Sequence, residues 1–395
     1  MRRAYIVGTF DTKGAELAYI AERLQAAGVA TCTVDLSTRP HASATDVTAA
    51  EVARHGSQAA QADDRGAAIE AMMLAFERFM PTRDDVAGII AAGGSGNTAL
   101  VAPGMRALPI GVPKLIVSTV ASGNTAQYVA GSDIVMAPSI TDVQGLNAIS
   151  RRILGNAAHA LAGMIAHYGV VRAGGGKRAV GLTMFGVTTA CVQRVAAQLE
   201  TEYDPLVFHA VGTGGRAMES LVDAGLLTGV IDVTTTEVCD MMMGGVFPAD
   251  EARFDAIIRT QVPYVVSVGA LDMVNFAAPD TVPERYRART LYRHNPQITL
   301  MRTTAEENAR MAEWIAAKLN RMQGEVRLLI PEGGVSAIDA PGQPFHDPAA
   351  DQALFATLEA LVQQTAQRRL QRLPHAINDP AFADALAHAF RAIAS

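Results

Sequence analysis

The chain has 395 residues, of which 49% are apolar and 18% charged, and its formal net charge is −6 at pH 7. This composition excludes a disordered or fibrous protein, and the length favours two or three domains. The acidic balance argues against nucleic acid as a partner. Three cysteines, far apart and without a CxxC motif, favour a reducing, cytoplasmic location over a disulfide or zinc framework. No apolar stretch reaches the roughly 18 residues that a membrane helix needs, so no membrane partner is expected.

The first 173 residues alternate between short apolar runs and helical patterns. Strands are predicted at 4–9, 29–36, 86–92, 114–119 and 133–137. A helix follows the first strand, and a long helix is predicted from about Val143 to Tyr168. Runs of small and β-branched apolar residues suit strands buried on both faces of a parallel sheet. Residues 1–173 are therefore predicted to form an α/β domain.

The second half of the chain repeats this pattern. The glycine-rich residues 174–178 break the periodicity and are the predicted linker. Beyond them, residues 179–203 align with residues 4–28 at an offset of 175. Further strands are predicted at 206–211, 229–236, 263–268 and 326–330, and helices around 351–370 and 380–393. We therefore predict two doubly wound, Rossmann-like α/β domains with parallel sheets, related as a pseudo-duplication, the second spanning residues 179–395.

The loops that follow the strands of the first domain are rich in glycine, hydroxyl and amide residues. They comprise Asp11-Thr12-Lys13, Ser37-Thr38-Arg39, Gly93-Gly94-Ser95-Gly96-Asn97-Thr98, and Ser118-Thr119 with Ser122-Gly123-Asn124. Glycine lets backbone N–H groups approach a phosphate, a helix N-terminus adds partial positive charge, and hydroxyls donate to oxygens or hold hydrated Mg²⁺. Because these loops meet at one edge of a parallel sheet, they favour a phosphate-bearing ligand. For any single loop the alternative is an ordinary strand-to-helix turn, which also needs glycine and hydroxyl caps.

Named motifs narrow the chemistry. No GK[ST] sequence completes a Walker A motif, and the Gly93–Asn97 loop misses the GxSxG nucleophile elbow by one residue. A Rossmann-type pattern, G-x-G-x-x-[GA], does occur at 212–217, with Asp232 twenty residues further on. It follows the second strand of its domain rather than the first, and Asp232 falls inside a strand. An NAD-dependent oxidoreductase using the Gly212 loop is therefore kept as an alternative.

The loops of the second domain add acids to the hydroxyls. Glu237, Asp240, Asp272 and Glu332 are candidates for a general base or a Mg²⁺ ligand, and His209 for an acid or base near neutral pH. An N-cap or a solvated loop acid is the alternative for each. Whether Cys239, Glu237 or Asp240 meets a metal is left open, and no metal site is assigned. The arginine-rich stretch Arg285–Arg293 is interpreted as a solvated helix face, with an anion clamp as the alternative.

Six motifs, in order along nearly the whole chain, carry a family resemblance. They are Gly8-Thr9-Phe10-Asp11-Thr12-Lys13, Gly93–Thr98, Ser118-Thr119 with Ser122–Asn124, Met184-Phe185-Gly186-Val187-Thr188-Thr189, Phe208-His209-Ala210 with Gly212–Gly215, and Pro331-Glu332-Gly333-Gly334-Val335-Ser336. In these motifs the sequence resembles the Tm-one-like ATP-binding domain family, which is named after a plant virus-resistance protein. The resemblance implies two α/β domains, a homodimer, and ATP bound mainly by the N-terminal domain.

The same resemblance implies the residues of the nucleotide site. Carried over to matching positions, these are Phe10, Asp11, Thr12, Lys13, Thr38, Gly93, Gly94, Ser95, Gly96, Asn97, Thr98, Ser118, Thr119, Ser122, Gly123 and Asn124. The resemblance does not imply a reaction.

Three functional hypotheses follow. The first is a cytoplasmic ATP-binding protein with Mg²⁺. If this protein is an enzyme, Glu332, Glu237 or His209 would activate water or an unidentified small substrate across an interdomain cleft. The reaction would then be phosphoryl or nucleotidyl transfer. The second is a non-catalytic, nucleotide-responsive dimer. The third is the NAD-dependent oxidoreductase.

Overall fold

The structure is a computed structural model that describes residues 2–42, 44–56, 65–168 and 176–394. The chain separates into two compact units, Met1–Ala173 and Gly174–Ser395, called here the first and second unit. Of the predicted linker, Gly174 and Gly175 lie outside the described residues, and Arg178 is already the first residue of a strand. None of the described helices is both long and apolar enough to span a membrane.

The first unit contains a five-stranded parallel sheet in the order β2-β1-β3-β4-β5. Its strands are β1 (Arg3–Gly8), β2 (Thr31–Asp35), β3 (Val86–Gly93), β4 (Lys114–Ser118) and β5 (Val135–Pro138). Its helices are α1 (Phe10–Ala26), α2 (Ala49–Ala53), α3 (Arg65–Phe79), α4 (Ser95–Arg106), α5 (Ala126–Val129) and α6 (Ala148–His167).

Both faces of this sheet are covered. On one face, Ile6 of β1 belongs to a buried cluster with Leu17 of α1 and Leu161 of α6. On the other, Tyr5 clusters with Phe76 of α3 and residues of α4. Alternate residues of a strand thus pack against helices on opposite faces of the sheet. The same holds for β3, which is buried along its whole length and is therefore a continuous apolar run in the sequence.

The second unit has two sheets. Its strands are β6 (Arg178–Met184), β7 (Tyr203–His209), β8 (Val230–Thr234), β9 (Tyr264–Gly269), β10 (Met273–Phe276), β11 (Leu291–Asn295), β12 (Ile298–Arg302), β13 (Val326–Pro331) and β14 (Arg368–Leu373). Its helices are α7 (Thr189–Leu199), α8 (Thr213–Asp223), α9 (Glu237–Met243), α10 (Asp255–Thr260), α11 (Ala305–Arg321), α12 (Pro348–Leu361) and α13 (Pro380–Ile393). The parallel sheet has the order β14-β13-β9-β8-β6-β7, and β10-β12-β11 form a small antiparallel sheet.

The two parallel sheets share one strand order. The first four strands of each unit pair as β2-β1-β3-β4 and β7-β6-β8-β9, which is the same arrangement. This confirms the predicted pair of doubly wound, Rossmann-like sheets and their pseudo-duplication.

Two predictions about the second half were wrong. The stretch Arg285–Arg293 is not a helix face, since a short turn at Glu284–Tyr286 leads into the exposed strand β11. The helix predicted around 351–370 ends at Leu361, and its last part is the edge strand β14. Both strands lie at sheet edges, and β11 carries one arginine and β14 three, so they lack the apolar pattern by which buried strands are recognised.

Candidate functional site

A cavity of about 350 Å³ opens in the first unit at the carboxyl ends of β1 and β3. It is lined by Thr9, Asp11, Thr12, Lys13, Thr38, Arg39, Ile69, Gly94, Ser95, Gly96, Asn97, Leu100 and Asp142. In the sheet, β2 lies on one side of β1 and β3 lies on the other. The strand order therefore reverses between β1 and β3, where the cavity opens. Ligands of doubly wound sheets bind at such points, and the volume falls within the roughly 300–1,000 Å³ of small-molecule pockets.

The N-terminus of α4 lies at this cavity without a side-chain cap. Its N-cap residue is Gly94, and no acidic residue occupies its first turn. The Thr98 N–H, donating to Gly94 O at 3.0 Å, is the first to bond back to the N-cap carbonyl. A Cβ atom added to Gly96 would meet nothing within 4 Å. The first turn of α4 therefore presents partial positive charge and unobstructed backbone to a ligand.

Two cations line the same cavity. Lys13 donates from Nζ to Val143 O. Within the described part of the chain, neither Lys13 nor Arg39 forms an ion pair with a carboxylate. Their positive charges are thus available to an anionic ligand.

Several predicted site residues form hydrogen bonds that hold the loops around the cavity in place. The buried Thr98 and Ser118 hydroxyls are 2.6 Å apart and join the β3 loop to the end of β4. Asn97 donates to Ala92 O at 3.1 Å and accepts from Thr9 N at 3.3 Å, which ties the β3 loop to β1. These contacts fix where the glycine backbone of the loop lies.

A buried carboxylate fixes the loop after β2. Asp35 Oδ1 accepts from Ser37 N at 2.9 Å, Ser37 Oγ at 2.6 Å and Phe10 N at 3.2 Å. This places Thr38 and Arg39 beside the start of α1. Phe10 contributes through its backbone, and its ring packs against the core.

The remaining predicted residues of the first unit lie elsewhere. Thr119 and Ser122 line a neighbouring cavity together with Ser118. Asn124 accepts from Ala126 N at 3.1 Å. Sequence reasoning missed Asp142, although it follows the carboxyl end of β5 and its position in that loop was a usable signal.

In the second unit, His209 lies exposed at the end of β7. Its Nδ1 is 3.2 Å from Met184 O, and its ring stacks on Phe185 with the centroids 5.4 Å apart. Glu332 is also exposed and forms an ion pair with Arg372 at 2.7 Å between Oε1 and Nε.

Glu237, the first residue of α9, is wholly buried, and its carboxylate binds the backbone of the Gly212 loop. Its Oε1 accepts from Gly212 N at 2.6 Å and from Gly215 N at 3.2 Å, and its Oε2 pairs with Arg253 Nε at 2.9 Å. The N–H groups that would hold a dinucleotide phosphate in this pattern are therefore already bonded to a carboxylate of the chain itself. We interpret Glu237 as a residue that positions this loop.

Arg253 is the centre of a buried charge network. Its guanidinium bonds Glu237, Glu219 at 3.0 Å and Asp232 at 2.7 Å, and all four side chains are buried. Asp232 also accepts from Tyr264 Oη at 2.7 Å. The acid that matched the dinucleotide spacing is thus committed to the core.

The close packing of the Gly212 loop predicts a sharp response at Gly214. A Cβ atom there would lie 1.8 Å from His209 O, a backbone atom that cannot move aside. Gly214→Ala is expected to lower the free energy of unfolding of the second unit by about 1–3 kcal/mol or more. Urea unfolding followed by the fluorescence of Trp314, the single tryptophan of the chain, measures this, since Trp314 lies in α11 of that unit. Gly186→Ala is the control, because nothing lies within 4 Å of its added Cβ; equal losses in both variants would contradict the prediction.

Asp240 and Cys239 are also buried. Asp240 accepts from Phe247 N at 2.8 Å and Asn275 N at 2.7 Å, and burial raises its pKa to about 7. The Cys239 thiol contacts Leu271 O at 3.5 Å. Within the described residues no group of three or more His, Cys, Asp or Glu side chains is arranged to hold a metal ion.

Asp272 belongs to a second buried charge cluster. Asp272 accepts from Ser336 Oγ at 2.8 Å, while Arg302 Nη2 pairs with Asp339 at 3.1 Å and Asp351 at 2.6 Å. One arginine thus faces three aspartates. Burial, followed by the charges of Asp272 and Asp351, raises the pKa of Asp339 to about 9.

This cluster predicts a stability that falls with rising pH. The unfolded aspartate loses its proton near pH 4, whereas folded Asp339 keeps its proton to about pH 9, so between these values the folded state binds more protons. The stabilisation is full below about pH 4 and is lost as the pH rises through about 9. Urea unfolding at pH 6, 7, 8 and 9 should show this decrease, and Asp339→Asn should flatten it. An unchanged slope in that variant would rule Asp339 out as the cause.

The fold and the cavity define the class of the protein: a two-unit α/β protein with doubly wound sheets and a polar, ligand-sized cavity in its first unit. The chain belongs to the uncharacterised protein family UPF0261, whose N-terminal domain matches residues 2–169 and whose C-terminal domain matches residues 177–394.

Its relatives are bacterial and plant proteins. A UPF0261 protein of Rhizobium meliloti is 56% identical over 100% of both chains. A UPF0261 protein of Clostridium tetani is 43% identical over 98% of this chain and 97% of its own. The ToMV resistance protein Tm-1 of Solanum lycopersicum is 42% identical over 98% of this chain and 55% of its own length. The resemblance to the Tm-one-like family is thereby confirmed.

Proposed function

We propose that the first unit binds ATP, with the phosphates in the cavity at the ends of β1 and β3. The observation that carries the proposal is the meeting, in one cavity, of a helix N-terminus without a side-chain cap and two cations, Lys13 and Arg39, that pair with no carboxylate of the described residues. The backbone at Gly94 and Gly96 would approach the phosphates, and the cations would neutralise them. Ile69 and Leu100 supply the apolar lining that a nucleobase needs.

Mg²⁺ would accompany the triphosphate. Asp11, Thr12 and Ser95 line the cavity and offer the oxygen donors that this ion prefers. Since no group of three or more His, Cys, Asp or Glu side chains among the described residues is arranged to hold a metal ion, phosphate oxygens and water would complete its coordination. The ion would neutralise phosphate charge.

A thermal-shift titration tests the proposal, because a ligand that binds only the folded state raises the melting temperature. The protein is titrated with ATP, ADP, AMP, NAD and NADP, each with and without Mg²⁺. We expect the largest shift with ATP and Mg²⁺. A selective shift with NAD would instead support the oxidoreductase, and no shift with any nucleotide would overturn the proposal.

The catalytic role of Glu332 and the homodimer stay predictions. If Glu332 activates a nucleophile, Glu332→Gln abolishes turnover and leaves ATP binding intact; unchanged turnover would remove it from the mechanism. Light scattering with and without ATP measures the dimer and its response to nucleotide.

A further inference from the structure

A second cavity, of about 570 Å³, adjoins the first one within the first unit. It lies at the carboxyl ends of β4 and β5 and is lined by Ser118, Thr119, Ser122, Pro138, Ser139, Ile140, Thr141 and Asp142. Asp142 lines both cavities. A ligand in the second cavity would therefore share a carboxylate with one in the first.

The loop that carries Asp142 is anchored on both sides of this residue. On one side, Ser139 N donates to Ser118 O at 3.1 Å. On the other, Val143 O accepts from Lys13, and Gly145 N donates to Glu16 Oε1 at 2.6 Å. Asp142 is thus held between the end of β4 and the start of α1, where the two cavities meet.

The wall of the second cavity has a strained segment. Ile140 has a φ of 65°, and Thr141 N donates to Ser139 O at 2.7 Å, which makes a γ-turn around a β-branched residue. Ile140 is 74% exposed, so burial does not compensate for this conformation. Strained backbone of this kind concentrates at ligand sites, where the position of a side chain matters more than local stability.

The chemistry of the wall selects the ligand. Five of the eight lining residues carry hydroxyls, one carries a carboxylate, and among these eight described residues there is no lysine, arginine or histidine. A carboxylate or phosphate group would find no countercharge here and would be repelled by Asp142. A neutral molecule with several hydroxyl groups would find hydrogen-bonding partners, together with the apolar surfaces of Ile140 and Pro138.

We propose that the second cavity is the acceptor site of a kinase that phosphorylates a neutral sugar or polyol, with Asp142 as the general base. This rests on the proposed binding of ATP in the adjoining cavity. The acceptor hydroxyl oxygen forms a bond to the γ-phosphorus, the bond from that phosphorus to the β–γ bridging oxygen breaks, and ADP leaves with the electron pair. The hydroxyl proton passes to Asp142 and then to water.

The test uses the full chain with ATP, Mg²⁺ and two pools of acceptors. The neutral pool contains glycerol, erythritol, xylitol and glucose; the acidic pool contains the matching glycerate, erythronate, xylonate and gluconate. We expect the neutral pool to raise ADP release at least about tenfold above the rate with water alone, since a bound acceptor is held at the phosphate. The acidic pool should leave that rate unchanged.

Two variants locate the base. Asp142→Asn should lower the acceptor-dependent rate about 100-fold or more, the usual contribution of a general base, and should remove the acidic limb of the pH profile. Asp84→Asn is the matched control, because Asp84 is exposed and lines neither cavity. Calorimetry of ATP binding separates the two proposals: absence of ATP binding overturns both, whereas ATP binding without stimulation by the neutral pool, with equal stimulation by acids, or with an active Asp142→Asn overturns the acceptor site alone.

Discussion

Replacing Arg253 with methionine is expected to lower the free energy of unfolding of the second unit by about 3–5 kcal/mol, because it leaves three buried carboxylates without their counter-ion. Glu219, Glu237 and Asp232 all bond the Arg253 guanidinium at 3.0 Å or less. Methionine keeps much of the side-chain volume, so the loss reports charge rather than a cavity. Urea unfolding followed by the fluorescence of Trp314 measures it.

Arg259→Met is the matched control. Arg259 forms an ion pair with Asp223 at 2.6 Å in the same unit, but both side chains are more than 40% exposed. Exposed pairs contribute about 0–1 kcal/mol, so this variant should unfold close to the wild type. Similar losses in the two variants would show that the Arg253 network is not the main electrostatic support of the unit.

Replacing Gly96 with aspartate is expected to reduce ATP affinity about 100-fold or more while the fold is kept. A Cβ atom added at Gly96 would meet nothing within 4 Å, and an acid in the first turn of a helix is favourable for the helix itself. The same negative charge would oppose the phosphates proposed to bind there, and like charges placed together cost several kcal/mol. Titration calorimetry gives the Kd of both proteins.

Gly163→Asp carries the same charge change at a distance from the cavity. Gly163 is exposed on α6, and its added Cβ would also meet nothing within 4 Å. Its ATP affinity should match that of the wild type. An unchanged Kd in Gly96→Asp would place the phosphates away from α4.

The parallel sheets could be predicted from the sequence because their strands are buried on both faces. β3 and β9 are buried at every position; β3 is an unbroken apolar run in the sequence, and β9 is interrupted only by Ser267. The edge strand β14, RRLQRL, mixes three arginines with leucine and glutamine without a period of two, so its pattern does not distinguish a strand from a helix end. The loops of the first unit were predicted for a related reason, since glycine and hydroxyl residues after a buried strand mark its carboxyl end.

Contacts distant in sequence could not be predicted. Glu237 meets the Gly212 loop 25 residues away, and Arg253 meets Asp232 from a loop that no motif marks. The sequence around a loop carboxylate does not show whether that side chain is exposed to solvent or belongs to a buried ion-pair network. The glycine pattern at 212–217 fits a dinucleotide loop, but the Gly212 and Gly215 N–H groups donate to a carboxylate of the same chain.

The acid that fills the Gly212 loop of the second unit has a neutral counterpart in the first unit. Ile6 pairs with Ile90 in the first unit, and Gly181, the residue aligned with Ile6, pairs with Val230 in the second. The seventh residue after Ile90 is the neutral Asn97, and the seventh residue after Val230 is Glu237. In the second unit the anion at this loop is the Glu237 side chain, so the loop keeps its hydrogen bonds without a small molecule. At this position the first unit has the neutral Asn97, so its loop keeps the backbone N–H groups to which the proposed ATP phosphates would bind.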